Sequence, residues 1–432
     1  MTNSTALLTD FYEITMLQAA LESGKAHQRA TFELFARKLP TGRRYGVVGG
    51  TTRAIEAVKN FSFTEDQLAT LAKNPVIKRE TIDYLREYKF KGNIFGYVEG
   101  DLYFPNSPIL TVEGTFGDSV LLETLLLSIL NHDSAVASAA SRMVVAAQGL
   151  PIIEMGSRRT HEQSAVDAAR IAYITGFKAT SNIEASHRYD IPVSGTSAHA
   201  FTLAFADEKD AFKAQIDALG VDTTLLVDTY DIQQGIRNAI EVAGPNLGGI
   251  RIDSGDLHDE TVAARKLLDE LGAVNTKIIL SSDIDEYTIH ELLEANTPVD
   301  GVGAGTRVVT GSGHPTAGMV FKLVEREDEN GEMVPVAKRA TGKKSIGGRK
   351  IAYRSFDEDD QMTGEYFVVR GNDKEIPEDF DKIQIEYVTN GEFIELPTVE
   401  TLRNFHSASI LSLPEDALLV GAGNHAFEAT EY

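Results

Sequence analysis

The 432-residue chain contains no cysteine. That absence excludes disulfide bonds, thiolate catalysis and cysteine-ligated zinc, and it is typical of a protein in the reducing cytoplasm. Basic side chains are also scarce, because 41 Lys and Arg stand against 64 Asp and Glu and leave a net charge of -23. A nucleic-acid partner needs a basic surface, so this charge argues against one. A local cluster of Arg and Gly can nevertheless bind phosphate in an acidic protein.

Long uninterrupted apolar runs are missing as well. The two most apolar stretches, residues 120–130 and 135–155, are interrupted by Glu123, Arg142 and Glu154. A membrane-spanning helix needs about 18 or more consecutive apolar residues, so we expect no membrane partner. Residues 1–10 also lack the basic and apolar regions of a signal peptide. We therefore expect a soluble, cytoplasmic protein.

The first part of the chain, residues 1–118, predicts an α+β domain. Asp10 precedes an apolar stripe with helical spacing, and Glu13 three residues later completes a capping-box pattern, so we expect a helix to begin here. Tyr12 would lie exposed in its first turn, where packing on a neighbouring residue is its simplest role. Residues 119–150 predict a helical connector. Residues 323–432 are too broken in pattern to form a domain alone, and we expect them to pack back on the first one.

Residues 151–322 repeat one pattern, in which short apolar runs alternate with amphipathic helices about every 25 residues. The predicted strands are 152–155, 177–179, 193, 225–227, 249–252, 277–280 and 299–302. Strands and helices that alternate at this spacing indicate parallel β/α units. Seven such units in line favour an irregular, TIM-like β/α barrel over an open sheet. The expected fold class is therefore α/β, with this barrel beside the α+β domain.

Polar and glycine-rich segments follow the predicted strands. They are residues 156–159, 180–182, 195–199, 228–231, 251–256, 281–283 and 301–306. Catalytic groups of a β/α barrel lie at the carboxyl ends of its strands, so these segments predict one shared cleft. Arg, Asp, Gly and hydroxyl groups recur at these strand ends, and this enrichment indicates an active site.

Two of these segments offer the most specific chemistry. His199 follows small residues that let a ligand approach, and its imidazole is either a nucleophile or base near neutral pH or a histidine hydrogen-bonded in a core. Arg251 and Asp253 share one face of a strand and form either a plain salt bridge or a ligand site. In the second case Arg251 would bind a carboxylate or phosphate, and Asp253 with Asp256 would hold sugar hydroxyls or magnesium.

Glycines at the last predicted strand form a further candidate site. Residues 301–306 (Gly-Val-Gly-Ala-Gly-Thr) either bind phosphate through their backbone N–H groups or form a tight turn. We predict no dedicated metal site.

Five segments, taken together and in order, resemble the nicotinate phosphoribosyltransferase family. They are Leu-Thr-Asp-Phe-Tyr-Glu at 8–13, Gly-Ser-Arg-Arg at 156–159, Gly-Thr-Ser-Ala-His at 195–199, Ile-Arg-Ile-Asp-Ser-Gly-Asp at 250–256 and Gly-Ala-Gly-Thr at 303–306. The resemblance covers nearly the whole chain. It implies the first step of NAD synthesis from nicotinate: nicotinate and phosphoribosyl diphosphate (PRPP) give nicotinate mononucleotide and diphosphate, with coupled ATP hydrolysis and with magnesium. It also implies an N-terminal domain completed by C-terminal residues, beside an irregular β/α barrel.

The resemblance implies roles for individual residues as well. His199 would carry a phosphoryl group from ATP as a phosphohistidine. Tyr12 would stack on the pyridine ring, reaching in from the second subunit of a homodimer whose active sites are shared. The other nicotinate ligands would be Thr196, Ser181 and Arg251, and Arg251 would pair with the carboxylate. Asp253 would be a catalytic residue alongside His199. The residues that bind PRPP would be Asp253 at the ribose, Arg158 along the cleft, and Gly303, Gly305 and Thr306 at the 5′-phosphate.

Three other interpretations remain open. A nicotinamide phosphoribosyltransferase would share these motifs but carry an aspartate in place of Ser181. Because an aspartate accepts from an amide and repels an acid, Ser181 favours nicotinate. A Schiff-base aldolase would need a strand lysine, for which Lys178 is the candidate. A non-catalytic binding protein is disfavoured because His199, Arg251 and Asp253 are all present.

Overall fold

The computed structural model describes residues 4–338, 345–372, 374–421 and 423–432. The chain divides into two compact units. The first unit combines residues 1–138 with 316–432, and the second comprises residues 139–315. The division falls inside a long helix, between Ser138 and Ala139, whereas the sequence analysis places boundaries after residues 118, 150 and 322.

The N-terminal part of the first unit mixes short helices and strands. In chain order it contains α1 (Phe11–Glu22), β1 (Arg29–Ala36), β2 (Gly46–Val47), α2 (Thr51–Lys59), α3 (Glu65–Leu71), α4 (Arg79–Arg86), β3 (Asn93–Gly96), β4 (Leu102–Tyr103), β5 (Leu110–Thr115) and α5 (Phe116–Val120). The long helix α6 (Glu123–Ala147) follows and leads into the second unit.

The second unit alternates strands with helices. Its elements are β6 (Ile152–Glu154), α7 (Glu162–Ile174), β7 (Ala179–Thr180), α8 (Ile183–Tyr189), α9 (His199–Leu203), α10 (Glu208–Leu219), β8 (Thr224–Leu226), α11 (Ile232–Ala243), β9 (Gly249–Ile252), α12 (Leu257–Glu270), β10 (Lys277–Ser281), α13 (Glu286–Glu294), β11 (Gly301–Ala304) and α14 (Thr306–Val309).

The C-terminal segment returns to the first unit and is mostly strand. It contains β12 (Met319–Glu327), β13 (Met333–Pro335), β14 (Lys350–Phe356), β15 (Met362–Val369), β16 (Asp381–Lys382), β17 (Ile385–Thr389), β18 (Glu392–Phe393), α15 (Val399–Leu411), a 3-10 turn (Glu415–Leu418) and β19 (Thr430–Glu431).

A seven-stranded sheet joins the two ends of the chain in the first unit. Its order is β13-β12-β1-β5-β3-β17-β18, so strands of the C-terminal segment flank three strands of the N-terminal part. Strand β1 pairs antiparallel with β12 and with β5, and all its residues after Arg29 are buried. Phe32 and Phe321 stack across the β1–β12 pair, with 5.0 Å between their ring centroids. The C-terminal segment therefore contributes directly to the core of the first unit.

Helix α1 begins where the sequence predicts, but its N-terminus is capped differently. Asp10 is the N-cap residue, yet its side chain makes no capping hydrogen bond. The Glu13 carboxylate turns inward, where Oε1 accepts from Thr124 N at 2.8 Å and from Thr124 Oγ1 at 2.5 Å. Burial raises the pKa of Glu13 to about 7. The predicted capping box is wrong because Thr124 binds the carboxylate that would complete it.

One helical stretch, Phe116–Ala147, is long and apolar enough to cross a membrane by length and composition. Its most apolar window has a mean hydropathy of 1.3, and 61% of that window is buried inside the protein. Leu125, Leu126 and Leu130 belong to the hydrophobic core of the first unit. The core helix of a protein in water passes the same test, so the stretch is weak evidence for a membrane span.

The six strands of the second unit form one parallel sheet. Its order is β7-β6-β11-β10-β9-β8. The strands are short and their central side chains are aliphatic and buried, as with Ile250, Ile252, Ile278 and Leu280. Strands buried on both faces are typical of parallel sheets covered by helices. The predicted β/α repeat is thus confirmed, and the sheet curls as a half-barrel.

Closure of that sheet into a barrel is not seen. The predicted strand at Val193 is a single parallel bridge to Thr180. Pro192 and Gly195 on either side of Val193 are poor strand residues, which explains why the pairing stops after one bridge. Within residues 139–315, all of which are described, no ladder joins β8 to β7 or to Val193. The half-barrel is open on that side.

A buried ion-pair network ties the C-terminal segment to the N-terminal part of the first unit. The Arg354 guanidinium lies 2.5 Å from Asp101 Oδ1 and 3.0 Å from Glu365 Oε2, and it donates to the Leu102 carbonyl at 2.6 Å. All three charged side chains are buried. Removing the cation would leave two carboxylates without compensation in the interior.

We predict that Arg354→Met lowers the free energy of unfolding by about 3–5 kcal/mol, because Asp101 and Glu365 lose their shared cation in a dry environment. Lys213→Met is the matched control, since Lys213 pairs with Asp217 on an exposed helix face and should cost less than about 0.5 kcal/mol. Urea unfolding of both variants checks this. Equal, small losses would contradict the importance of the buried network.

Candidate active site

Side chains from the carboxyl ends of four strands line a cleft of about 250 Å³ in the second unit. The strands are β6, β9, β10 and β11, which are adjacent in the sheet, so their ends meet at one edge. The lining residues are Met155, Arg158, Arg159, Arg251, Asp253, Ser281, Ser282, Asp283, Gly303, Gly305 and Thr306. The structure therefore brings Arg251 together with five other residues that the sequence predicts for the site. They are Arg158, Asp253, Gly303, Gly305 and Thr306.

Arg251 is the central cation of this cleft. It lies in β9, and its backbone is paired with Leu226 and Ile279 on the two sides. Its Nη2 donates to the Ser197 carbonyl at 2.9 Å, whereas its Nε is buried and has no hydrogen-bond partner within the fully described second unit. Burial lowers the pKa of Arg251, although Asp253 and Asp228 nearby oppose that shift. A half-buried cation with a buried, unsatisfied donor suits an anionic ligand.

Asp253 follows β9 directly and also lines the cleft. Its Oδ1 accepts a hydrogen bond from Ser281 Oγ at 2.7 Å. Its Oδ2 lies 3.9 Å from His199 Nε2. No ion pair within 4.0 Å joins Asp253 to Arg251 in the described second unit, so the plain salt bridge is not the arrangement that the structure shows.

His199 is the first residue of α9 and stands beside the cleft rather than in its lining. Its side chain is 40% exposed, its Nδ1 lies 3.2 Å from Thr229 Oγ1, and its Nε2 lies 3.8 Å from Asp228 Oδ1. A histidine satisfied within a core would be buried and closely hydrogen-bonded. The exposure and the two carboxylates near Nε2 favour a reactive role instead.

Asp228 is a site residue that the sequence reasoning missed. It follows β8, its side chain is fully buried, and its Oδ2 accepts from Asp253 N at 2.9 Å and from Ser254 Oγ at 2.7 Å. Its Oδ1 is buried without a hydrogen-bond partner among the described residues and faces His199. The strand-end position of residues 228–231 was visible in the sequence, but the approach of Asp228 to His199 depends on the fold.

The glycines at the end of β11 pack closely on the neighbouring strand end. A Cβ added at Gly303 would come within 2.6 Å of Met155 Sδ, and one at Gly305 would come within 3.2 Å of the Met155 carbonyl oxygen. The glycine turn after β11 is therefore packed on both the flexible side chain and the backbone of Met155. Thr306 is the first residue of α14, directly after this turn, and it lines the cleft.

The remaining predicted site residues lie outside the cleft lining. Tyr12 belongs to the first unit, on α1, and is 47% exposed. Thr196 and Ser181 are exposed in the second unit, in the loop before His199 and at the end of β7. Lys178 is exposed and lies at the amino end of β7, whereas the cleft lies at the carboxyl ends of the strands. The lining of the cleft therefore contains no lysine for a Schiff base.

Carboxylates and hydroxyls are the metal-binding groups that the cleft offers. Asp253, Asp283 and Ser281 line it. No group of three or more His, Asp or Glu among the described residues is arranged to hold a metal ion. Oxygen ligands of this kind fit magnesium, an ion that proteins commonly bind through one or two carboxylates and that keeps several waters.

Comparison with known proteins decides the family. A sequence profile of the nicotinate phosphoribosyltransferase (NAPRTase) N-terminal domain matches residues 7–131, and a profile of the NAPRTase family matches residues 150–350. The chain belongs to the nicotinate phosphoribosyltransferase family. The resemblance that the five segments carry is thereby confirmed.

Relatives from the NAPRTase family align along most of the chain. Nicotinate phosphoribosyltransferase pncB1 of Mycobacterium tuberculosis is 50% identical over 428 residues, which cover 97% of this chain and 94% of the relative. Nicotinate phosphoribosyltransferase of Bacillus subtilis is 40% identical over 377 residues, which cover 85% of this chain and 76% of the relative.

Solved structures show the same fold. Human nicotinic acid phosphoribosyltransferase matches with a TM-score of 0.81 and 23% identity, over 98% of this chain and 97% of that one. A nicotinate-nucleotide pyrophosphorylase from Pyrococcus furiosus matches with a TM-score of 0.77 and 23% identity, over 95% and 97% of the two chains. At this level of identity the likeness concerns the fold alone.

We predict that Arg251→Met raises the free energy of unfolding by about 1 kcal/mol, because it removes a half-buried cation whose buried Nε–H donor is unsatisfied. Arg159→Met, at an exposed cleft arginine, is the control and should change stability by less than about 0.5 kcal/mol. Denaturant unfolding without ligands makes the comparison. A clear loss of stability in Arg251→Met would show that the protein itself satisfies this guanidinium.

Proposed function

We propose that the chain is a nicotinate phosphoribosyltransferase that joins nicotinate to PRPP, releases diphosphate and couples the reaction to ATP hydrolysis. The observation that carries this proposal is Arg251, a half-buried guanidinium with an unsatisfied Nε that lines a cleft beside Asp253. Family membership supplies the reaction class. The unused Nε–H donor and the positive charge of Arg251 match the carboxylate of nicotinate. The product would enter NAD synthesis.

Nicotinate recognition rests on charge and shape. Arg251 would pair with the carboxylate, and Thr196 and Ser181 would complete the pocket. A serine at 181 leaves no negative charge to repel an acid, whereas an aspartate there would favour an amide. Tyr12 would stack on the pyridine ring from a second subunit. Its exposure, together with that of Leu7, Leu8 and Phe11 beside it, supports a partner surface at α1.

PRPP would occupy the edge formed by β6 and β11. Arg158 supplies positive charge, and Gly303, Gly305 and Thr306 supply a closely packed turn for the 5′-phosphate. Asp253, held by Ser281, would accept from the ribose hydroxyls. Magnesium, when bound with PRPP, would neutralise the diphosphate, and Asp253 and Asp283 are the cleft carboxylates able to reach its coordination sphere.

The transfer itself is a displacement at the anomeric carbon of PRPP. The lone pair of the pyridine nitrogen forms the new C–N bond while the C–O bond to diphosphate breaks. The electron pair of the C–O bond leaves with diphosphate, and the ring nitrogen becomes a positively charged pyridinium. The transition state resembles an oxocarbenium ion, so positioning of the two substrates and stabilisation of the departing diphosphate provide most of the acceleration. The protein contributes Arg251 at one substrate and the arginine- and glycine-lined edge at the other.

His199 would couple this transfer to ATP. In the tautomer that carries its proton on Nε2, facing Asp228 and Asp253, the Nδ1 lone pair would leave its contact with Thr229 Oγ1 and attack the γ-phosphorus of ATP. The bond from that phosphorus to the bridging oxygen breaks, ADP leaves, and later hydrolysis by water returns the free imidazole. The phosphoryl group would place negative charge beside two carboxylates, which changes substrate affinity in the cleft. We propose a homodimer in the cytoplasm as the working form.

His199→Ala is predicted to abolish the stimulation by ATP while leaving slow, ATP-independent formation of nicotinate mononucleotide, because the imidazole carries the phosphoryl group and takes no part in the displacement. Steady-state rates with PRPP, with and without ATP, measure the effect. The control is His290→Ala, on α13 away from the cleft, which should respond to ATP like the wild type. Intact ATP stimulation in His199→Ala would remove His199 from this role.

A further inference from the structure

The Glu154 carboxylate lies at the carboxyl end of β6 and does not line the cleft. Its side chain is 0% exposed. Within the second unit, whose residues are all described, no basic side chain influences it, and burial raises its pKa. A carboxyl group that is buried without a cation at the end of a strand costs desolvation free energy that an apolar residue would not.

Both oxygens of Glu154 are used to hold strand ends. Oε1 accepts from the Gly156 backbone N–H, and Oε2 accepts from Thr180 Oγ1 at 2.5 Å. Thr180 Oγ1 in turn accepts from Asn182 N at 3.0 Å, and the Glu154 carbonyl accepts from Ser181 N at 2.8 Å. One residue thus fixes the turn after β6 and the turn after β7.

The turn after β6 is also packed against the glycine turn after β11. A Cβ on Gly156 would overlap Val309 and would come within 2.9 Å of the Gly305 carbonyl oxygen. Met155 N donates to the Ala304 carbonyl at 2.8 Å. The position of Gly156 therefore determines how Met155 and the following arginines sit beside residues 303–306.

We propose that Glu154 is a positioning residue that sets the spacing between the PRPP side and the nicotinate side of the cleft. This inference rests on the proposed function, which identifies one side of the cleft with PRPP and the other with nicotinate. The Gly156 bond governs the PRPP side, through Arg158 and the 303–306 turn. The Thr180 bond governs the nicotinate side, through Ser181. Glu154 itself contacts neither substrate.

Three variants separate the two bonds. Glu154→Ala removes both and should raise the KM values for PRPP and nicotinate by about tenfold or more, because small misplacements of binding groups are costly. Thr180→Val keeps the shape of the side chain but removes the bond to Glu154 together with the bond from Asn182 N, both of which lie on the nicotinate side. The nicotinate KM should therefore rise about tenfold and the PRPP KM less than about twofold. Glu154→Gln retains an acceptor for Gly156 and a donor for Thr180, and both KM values should stay within about twofold of wild type.

If Glu154 served only to stabilise the fold, Glu154→Ala would lower the free energy of unfolding without changing the KM values of the folded enzyme. Gln215→Leu is the matched control, because Gln215 is a buried residue whose Nε2 donates to Thr223 Oγ1 and to the Thr224 carbonyl at the amino end of β8. It loses a similar pair of buried hydrogen bonds far from the strand ends that line the cleft. We expect reduced stability with unchanged KM values there.

Titration calorimetry with inorganic diphosphate gives a readout that does not need turnover. Diphosphate should bind Glu154→Ala at least about tenfold more weakly than wild type or Glu154→Gln. A wild-type protein without PRPP-dependent turnover would refute the proposed function, yet this binding comparison would still test Glu154. Wild-type KM values and diphosphate affinity in Glu154→Ala would overturn the inference. If that variant does not fold, a wild-type nicotinate KM in Thr180→Val overturns it.

Discussion

The site depends on one electrostatic constraint, a guanidinium that β9 holds half-buried without a full set of acceptors. Arg251 finds one protein acceptor, the Ser197 carbonyl, and its Nε finds none among the described residues. Because an unsatisfied buried donor is costly, a fold selected for stability alone would not retain it. The surrounding sheet supplies that stability, with buried aliphatic strands on both sides of β9. In the proposed function, an anionic substrate would accept from the donor that the protein leaves unsatisfied.

The carboxylates beside this cation have separate surroundings, which suit separate roles. Asp228 is fully buried and anchors the backbone after β9 through Asp253 N, while its second oxygen faces His199. Asp253 is held by Ser281 but stays partly exposed in the cleft, where a ribose would lie. The imidazole therefore stands near one buried carboxylate, Asp228, and one that lines the cleft, Asp253. That arrangement links the phosphoryl chemistry proposed for His199 to the cleft without placing His199 in its lining.

The sequence predicts the repeat of strands and helices and the gathering of polar residues at strand ends, because both follow from apolar periodicity. It does not predict what depends on tertiary contact. Glu13 binds Thr124 and does not complete a capping box, and Val193 makes one bridge to Thr180 in place of a strand. Asp228 is one aspartate among many until the fold brings it near His199. Glu154 reads in the sequence only as an interruption of an apolar stretch.

The most direct test of the account is a product balance for the purified wild-type protein. With PRPP, magnesium and ATP, we expect nicotinate to be converted to equimolar nicotinate mononucleotide and diphosphate, with ATP hydrolysed alongside, and nicotinamide to be converted far more slowly under identical conditions. Nicotinamide turnover equal to or faster than that of nicotinate, or no PRPP-dependent loss of nicotinate, would contradict the assignment of Arg251 as the carboxylate-binding group.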